Sequence, residues 1–246
     1  MIQVMIIDSN VFFGFWPRRC LESSLDTVRD IARQHNIAKI AICSMRGIFQ
    51  DFVQGNTETI ELAMHDEGII PVVTVNPNHF LDCDPEIDRC IENGIKLFRF
   101  FPEFQGWTYS YRPFLRLLQR LSRSDAIVML PTRLARHLEF GSISDIGRAV
   151  GELDIRCIMT DVYYGNLAEA LTVAAEHPGI MVESHLLNSP GAVELLVNNL
   201  GFERLIFGSR SPLAYVGAAL KPILEASVDD SVKQAILGTN IQRMLR

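Results

Sequence analysis

The chain has 246 residues, 48% of them hydrophobic and 21% charged, with a formal net charge of −6 and a pI near 5.5. That size and apolar share support a large buried core and exclude a disordered chain. The acidic balance, with no long run of Lys or Arg, excludes the basic surface that nucleic acid or an anionic membrane selects, and no apolar run reaches the ~20 residues of a membrane-crossing helix.

Taken in chain order, short apolar runs alternate with amphipathic segments. Strands are expected at 2–8, 40–44, 69–75, 95–100, 126–130, 155–160, 180–184 and 205–208. Helices are expected at 21–35, 57–67, 85–93, 111–123, 142–153, 167–177, 190–200 and 212–220, with one or two more in 228–245. Thr57 is the expected N-cap of the second helix, with Asn56 as competitor, and Gly94 and Gly201 stand just past helix ends. The strands are apolar nearly throughout, as strands covered on both faces of a parallel sheet must be. Eight βα units in this length predict an α/β fold, a (β/α)8 TIM barrel, as a single domain over residues 1–246. An open doubly wound sheet fits less well, because no GxGxxG or GxxxxGK[ST] loop follows an early strand.

Five cysteines, at 20, 43, 83, 90 and 157, form no CxxC pair and are odd in number. They read as free thiols of a reducing compartment. The N-terminus lacks a basic n-region and Asp8 interrupts it, so it reads as a first strand and not a signal peptide. A cytoplasmic location is expected.

In a barrel the chemistry gathers at the C-terminal ends of the strands. The residues there are Asp8, Asn10, Phe12 and Trp16 after the first strand, Arg46 after the second, and Arg99, Phe101, Glu103 and Trp107 after the fourth. Asp161 ends the sixth strand, Glu183 and His185 end the seventh, and Arg210 follows the eighth. Side chains alternate along a strand, so Arg99 shares a direction with Phe101, and Glu183 with His185; Asp8, Asn10 and Phe12 share one if their strand stays extended. Asp161, Glu183 and His185 are the candidate catalytic residues. Asn10, Trp16, Arg46, Arg99, Trp107 and Arg210 are the candidate substrate-binding residues. Plainer roles compete: Asp8 as a loop anchor, Glu183 as half of an ion pair, and the two tryptophans as loop packing.

Three stretches, IIDSNVFFG, GIKLFRFFP and LIFGSRSP, with the C-terminal ILGTNIQRML, give the chain a resemblance over most of its length to the amidohydrolase superfamily. The branch concerned contains metal-dependent hydrolases and carboxymuconate-semialdehyde-type decarboxylases. The resemblance implies a distorted TIM barrel with a divalent metal held by His-x-His after strand one, His after strands five and six, and Asp after strand eight. The His-x-His positions fall on Asn10 and Phe12, the strand-six His on Asp161, and the strand-eight Asp on Arg210; VMLPTR offers no His at strand five. Phe12 cannot ligate and Arg210 repels a cation, so no metal or other cofactor is expected. A guanidinium at 210 could instead hold a carboxylate, phosphate or oxyanion, with Arg46 and Arg99 assisting.

The expected function is therefore that of a hydrolase-like barrel acting on a small, anionic substrate without the metal centre. The competing reading is a binding or regulatory barrel that has lost its chemistry, favoured if Phe12, Phe101 and Trp16 plug the mouth. A third keeps a metal on Asp161, Glu183 and His185. The partner expected is a small molecule, with no nucleic acid and no membrane, and a homo-oligomer is left open.

Overall fold

The computed structural model describes residues 5–132 and 142–246. Its centre is one nine-stranded sheet in the order β2-β1-β3-β4-β5-β6-β7-β8-β9. The strands are β1 (Ile6–Trp16), β2 (Leu21–Ser23), β3 (Ile37–Ser44), β4 (Ile69–Val73), β5 (Leu97–Arg99), β6 (Ile127–Pro131), β7 (Arg156–Thr160), β8 (Ile180–Glu183) and β9 (Leu205–Ile206). Eight run parallel; only β2 is antiparallel, folded back on the end of β1. The last strand returns to the first through Ser9 N–H to the Phe207 carbonyl at 3.0 Å and Phe12 N–H to the Ser211 carbonyl at 2.8 Å. A parallel bridge between Val11 and Ser211 completes the join.

The helices are α1 (Leu25–Gln34), α2 (Met45–Phe49), α3 (Phe52–His65), α4 (Phe80–Glu92), α5 (Pro102–Gln105), α6 (Arg112–Leu121), α7 (Ser142–Gly151), α8 (Leu167–Glu176), α9 (Ala192–Leu200), α10 (Val216–Glu225), α11 (Asp230–Gln234) and α12 (Asn240–Met244). Among the described residues no helix is long and apolar enough to cross a membrane.

Side-chain alternation divides the core in two. Ile127 and Met129 of β6, Leu97 of β5, Ile158 of β7, Met181 of β8 and Ala41 and Cys43 of β3 line the barrel interior. Their neighbours Val128, Leu130, Phe98, Cys157, Met159, Ile180 and Val182 face the surrounding helices. Ile241 and Met244 of α12 join the interior cluster, and the Met244 carbonyl accepts Arg156 at 2.8 Å, so the C-terminal helix stops the N-terminal end of the barrel.

Several boundaries differ from those expected. The aromatic run after Asp8 stays extended, so β1 continues to Trp16 and pairs with Leu21–Ser23, a segment expected to be helical. The first helix starts later, where Ser24 accepts the Thr27 N–H. Helix α3 starts at Phe52, earlier than expected, because Asp51 is its N-cap and accepts the Gln54 N–H. Thr57 lies inside it and donates to the Val53 carbonyl, and Asn56 turns inward to the Thr74 backbone. Helix α4 begins at Phe80, which leaves Pro85 inside it and not at its start. Gly94 does adopt the left-handed conformation, at φ +74°.

Candidate functional site

Alternation fixes most of the site. On β5, Leu97 faces the interior and Arg99 follows it there; on β8, Met181 does so and Glu183 follows. Arg99 is buried and donates from its guanidinium to Asn10 Oδ1, 2.5 Å away. Asn10 Nδ2 donates to Glu183 Oε2 at 3.0 Å. That same carboxylate oxygen lies 2.6 Å from His185 Nδ1, and Glu183 Oε1 accepts the His185 backbone N–H at 2.7 Å. Across the imidazole, Nε2 is 3.6 Å from Asp161 Oδ1, beyond hydrogen-bonding reach, and it is buried without a partner. Asp161 accepts from Arg210 and, at 3.0 Å, from the Thr160 hydroxyl.

Two local features bring these groups together. Asp8 pairs with Ile40 and Val11 with Ile42, so β1 carries one extra residue at Ser9–Asn10. This bulge re-aims the strand. Asp8 then turns to the far end of the chain, accepting the Ser209 and Asn10 N–H groups at 2.9 and 3.1 Å and the Ser209 hydroxyl. Asp161 and Arg210, the partners of the ion pair, both stand in the left-handed region, at φ +63° and +61°. Non-glycine residues held there cost of order 1–3 kcal/mol, and such strain concentrates at functional sites. Gly208 allows the close approach: a Cβ there would stand 2.3 Å from Glu183 Oε1.

Burial and mutual charge set the protonation states. Burial opposes ionisation of Asp161, but the positive charges of Arg210, His185 and Arg99 outweigh it and hold the carboxyl well below the usual range. Burial likewise opposes charge on His185, yet Glu183 and Asp161 push the imidazole up to about 9. Glu103, on α5, moves opposite to Asp161: burial and the Asp161 charge push it up to about 8. Burial pushes Asp8 up to about 7 against its hydrogen bonds from Ser209 and Asn10. Around neutral pH a protonated His185 thus faces the ionised carboxylate of Asp161.

Aromatic rings roof one side of this cluster. The Arg99 guanidinium lies over Phe12 and Phe101, at 4.6 and 5.2 Å from the ring centroids. Phe12 and Phe101 are 6.1 Å apart, and Trp16 packs edge-on against Phe49 and Phe104 at 5.0 and 5.1 Å. Six of the sequence candidates, Asn10, Arg99, Asp161, Glu183, His185 and Arg210, therefore form one network, with Trp16 in its aromatic roof.

Arg46 and Trp107 are placed apart from it. Arg46 pairs with Glu58 at 2.7 Å, beside a cavity of about 350 Å³ that Phe13, Ser23 and Ser44 help to line. Trp107 is buried outside the barrel, stacked on Phe114 at 4.9 Å, with its indole N–H on Gln105 at 3.0 Å. Both follow strands of the active face, but each loop turns its side chain outward. Ser209 stands at the end of the last strand, as its position in the sequence predicts, but its partnership with Asp8 has no signal in the sequence.

The amidohydrolase family model (Amidohydro_2) matches residues 38–246. The chain belongs to the amidohydrolase family. No curated protein matches it. Among solved structures, this amidohydrolase is similar to an uncharacterized TIM-barrel protein, Bb4693, from Bordetella bronchiseptica, at 16% identity and a TM-score of 0.78 over 98% of each chain. It is also similar to the 5-carboxyvanillate decarboxylase LigW from Sphingomonas paucimobilis, at 11% identity and a TM-score of 0.75 over 99% of each chain. The 2,6-dihydroxybenzoate decarboxylase from Rhizobium matches at 10% identity and a TM-score of 0.74 over 98% of each chain. At such identities the likeness shows the fold.

The divalent metal implied by the family resemblance can be compared with the donors present. Among the described residues, no three His, Cys, Asp or Glu side chains are arranged to hold an ion. Asn10 spends its amide on Arg99 and Glu183, Phe12 faces a guanidinium, and Arg210 is paired with Asp161. Two guanidinium groups, Arg99 and Arg210, at this mouth suit an anion better than a dication. The residues described do not fit the metal.

Proposed function

We propose that this amidohydrolase acts on a small anionic substrate at the C-terminal mouth of its barrel, by acid–base chemistry that uses no divalent cation. The observation that carries this reading is His185. Its imidazole is held by Glu183 on one side, and its buried Nε2 faces Asp161 at ion-pair distance on the other, with no hydrogen-bond partner among the described residues. Beside it, Arg210 keeps a side chain that is 22% exposed, within reach of an incoming ligand.

The roles follow from charge. Arg210 offers a carboxylate or oxyanion its free N–H groups, and Arg99 supports it from below. His185, charged at neutral pH, is the proton donor: as water adds to the substrate carbonyl and the bond to the leaving oxygen or nitrogen breaks, the Nε2–H proton passes to that atom, and the proton shed by the water restores the imidazolium while Glu183 holds Nδ1. Asp161 is held so far below the ordinary carboxylate range that it is a poor base at neutral pH, and its work is to orient Arg210 and His185. Solved neighbours named as decarboxylases of 5-carboxyvanillate and 2,6-dihydroxybenzoate support the choice of a carboxylate as the anion.

Calorimetric titration with benzoate, succinate and phosphate tests this directly. At least one anion is expected to bind the wild type, and Arg210→Ala is expected to weaken it at least about tenfold. Equal binding by the variant, or no binding of any anion, would overturn the reading. Stoichiometric zinc or manganese in protein purified without chelators would overturn its metal-free part. The aromatic roof of Phe12, Phe101 and Trp16 favours a second reading, a binding or regulatory barrel; anion binding with no turnover of the corresponding esters and amides would select it.

A further inference from the structure

We infer that Glu103 is the protonated partner of the bound anion: its carboxyl group donates a hydrogen bond to the ligand that Arg99 and Arg210 hold. This inference rests on the anion-binding reading above and deepens it.

The placement of Glu103 comes from the turn that follows β5. Pro102 opens the single turn of α5, and the Phe104 N–H bonds the Phe101 carbonyl at 3.1 Å. Phe101 and Phe104, stacked at 6.1 Å, are fixed in the aromatic roof, and they hold the residue between them. Glu103 as a whole is half-buried, but its Oε2 is buried and has no hydrogen-bond partner among the described residues. Arg99 Nε is in the same condition, as is His185 Nε2. Buried polar atoms are almost always paired, so three such orphans in one charged neighbourhood need an explanation. Arg99 and Glu103 feel each other's charge, yet neither the Arg99 Nε nor the Glu103 Oε2 has a hydrogen-bond partner among the described residues.

The groups whose charges Glu103 feels come from four elements. They are Arg99 at the end of β5, Asp161 after β7, Arg210 after β9, and Tyr109 in the segment before α6. Tyr109 is committed, because its hydroxyl donates to the Pro131 carbonyl at 2.7 Å. Arg210 serves Asp161, and one terminal nitrogen of Arg99 serves Asn10. No other described side chain claims the Glu103 Oε2. An anion that takes the Arg99 Nε–H on one oxygen can take a carboxyl O–H on another. A neutral Glu103 is a donor for that anion; an ionised Glu103 repels it. Burial and the nearby Asp161 charge keep Glu103 neutral up to about pH 8. Anion binding and the protonation of Glu103 are therefore linked, and binding at higher pH must draw a proton from solvent.

Two measurements test this, one without ligand. In the free Asp8→Asn protein, which lacks the other buried carboxyl that is protonated near neutral pH, the infrared band of a buried carboxylic acid is expected to be present at pH 6.5, lost by pH 9.5, and missing once Glu103→Gln is added. In calorimetry at pH 8.5, run in two buffers of different ionisation heat with benzoate or succinate, the wild type is expected to take up about half a proton or more on binding, and Glu103→Gln no more than the roughly one quarter that His185 can contribute. The amide still donates, so Glu103→Gln is expected to bind within about threefold of the wild type at pH 7, and Glu103→Ala at least about tenfold more weakly. Wild-type affinity is expected to fall from about pH 8, and that of Glu103→Gln only from about pH 9, where His185 loses its proton. A band unchanged by Glu103→Gln, or proton uptake unchanged by it, overturns the inference and leaves the anion site standing. A band that behaves as expected in a protein that binds neither anion ends both.

Discussion

Replacing Asp8 by Ala removes the acceptor that joins the first strand of the barrel to the loop after the last. Asp8 takes the Ser209 N–H at 2.9 Å, the Asn10 N–H at 3.1 Å and the Ser209 hydroxyl, all in full burial. In Asp8→Ala both backbone donors are left buried and unpaired, at about 1–3 kcal/mol each. Relief from burying the carboxyl offsets part of this, so a net loss of about 3–4 kcal/mol is expected. Asp8→Asn keeps an oxygen for both N–H groups and an amide N–H₂ that the Ser209 oxygen can accept; it is expected to cost about 1 kcal/mol or less near pH 7.

The two residues also differ in pH dependence. Burial raises the Asp8 carboxyl from 3.8 to about 7. Between those values the folded state binds a proton that the unfolded state does not. This contribution to stability is fully present below 3.8 and is lost as pH rises through about 7, and at about 1.4 kcal/mol per unit it amounts to up to about 4 kcal/mol. Asn has no such proton, so the stability difference is expected to move toward Asp8→Asn between pH 4 and 8. Urea unfolding at a series of pH values measures both effects. An Asp8→Ala variant within about 1 kcal/mol of wild type, or a difference between Asn and Asp that stays flat with pH, would refute the reasoning.

Other outcomes follow from the same coordinates. NMR titration of the imidazoles is expected to place His185 near 9; a midpoint at or below 6.5 means that Glu183 and Asp161 do not clamp it as described. Because that value is raised from 6.5, the charged imidazole stabilises the fold fully below pH 6.5 and ceases to do so above about 9, and Glu183→Gln is expected to shrink the loss. Gly55→Ala puts a Cβ 2.3 Å from the Gly47 nitrogen, where α2 and α3 touch backbone to backbone, and a melting temperature lowered by at least about 6 °C is expected. Gly94→Ala meets nothing within 4 Å and carries only the left-handed penalty, about 1–2 kcal/mol; similar losses for the two would discount the close approach. Arg210→Lys keeps the charge but not the fork, so it is expected to recover only part of the anion affinity lost in Arg210→Ala.

Much of this protein was legible in its sequence because strands and helices impose different periods on apolar residues. Ile127-Val-Met-Leu on β6 reads as a strand buried on both faces, and the structure sends its residues alternately to the interior and to the helices. The same period of two carried Arg99 and Glu183 inward behind Leu97 and Met181, so polar residues at strand ends could be singled out before any coordinates. Helix starts were harder to read, because Ser24 and Asp51 act as caps through bonds that depend on where the chain turns.

What only the tertiary structure decided is where parity breaks. The extra residue in β1, the left-handed backbones of Asp161 and Arg210, and the outward turns that take Arg46 to Glu58 and Trp107 to Phe114 have no periodic signature. The bulge and the left-handed pair are held by partners far along the chain, as Asp8 is held by Ser209, Asn10 by Glu183 and Asp161 by Arg210, whereas Arg46 and Trp107 are held by the helix that follows each. Sequence determines the direction of a side chain while the backbone stays regular; once a bulge or a left-handed residue intervenes, only the contact that stabilises it says which way the next side chain points.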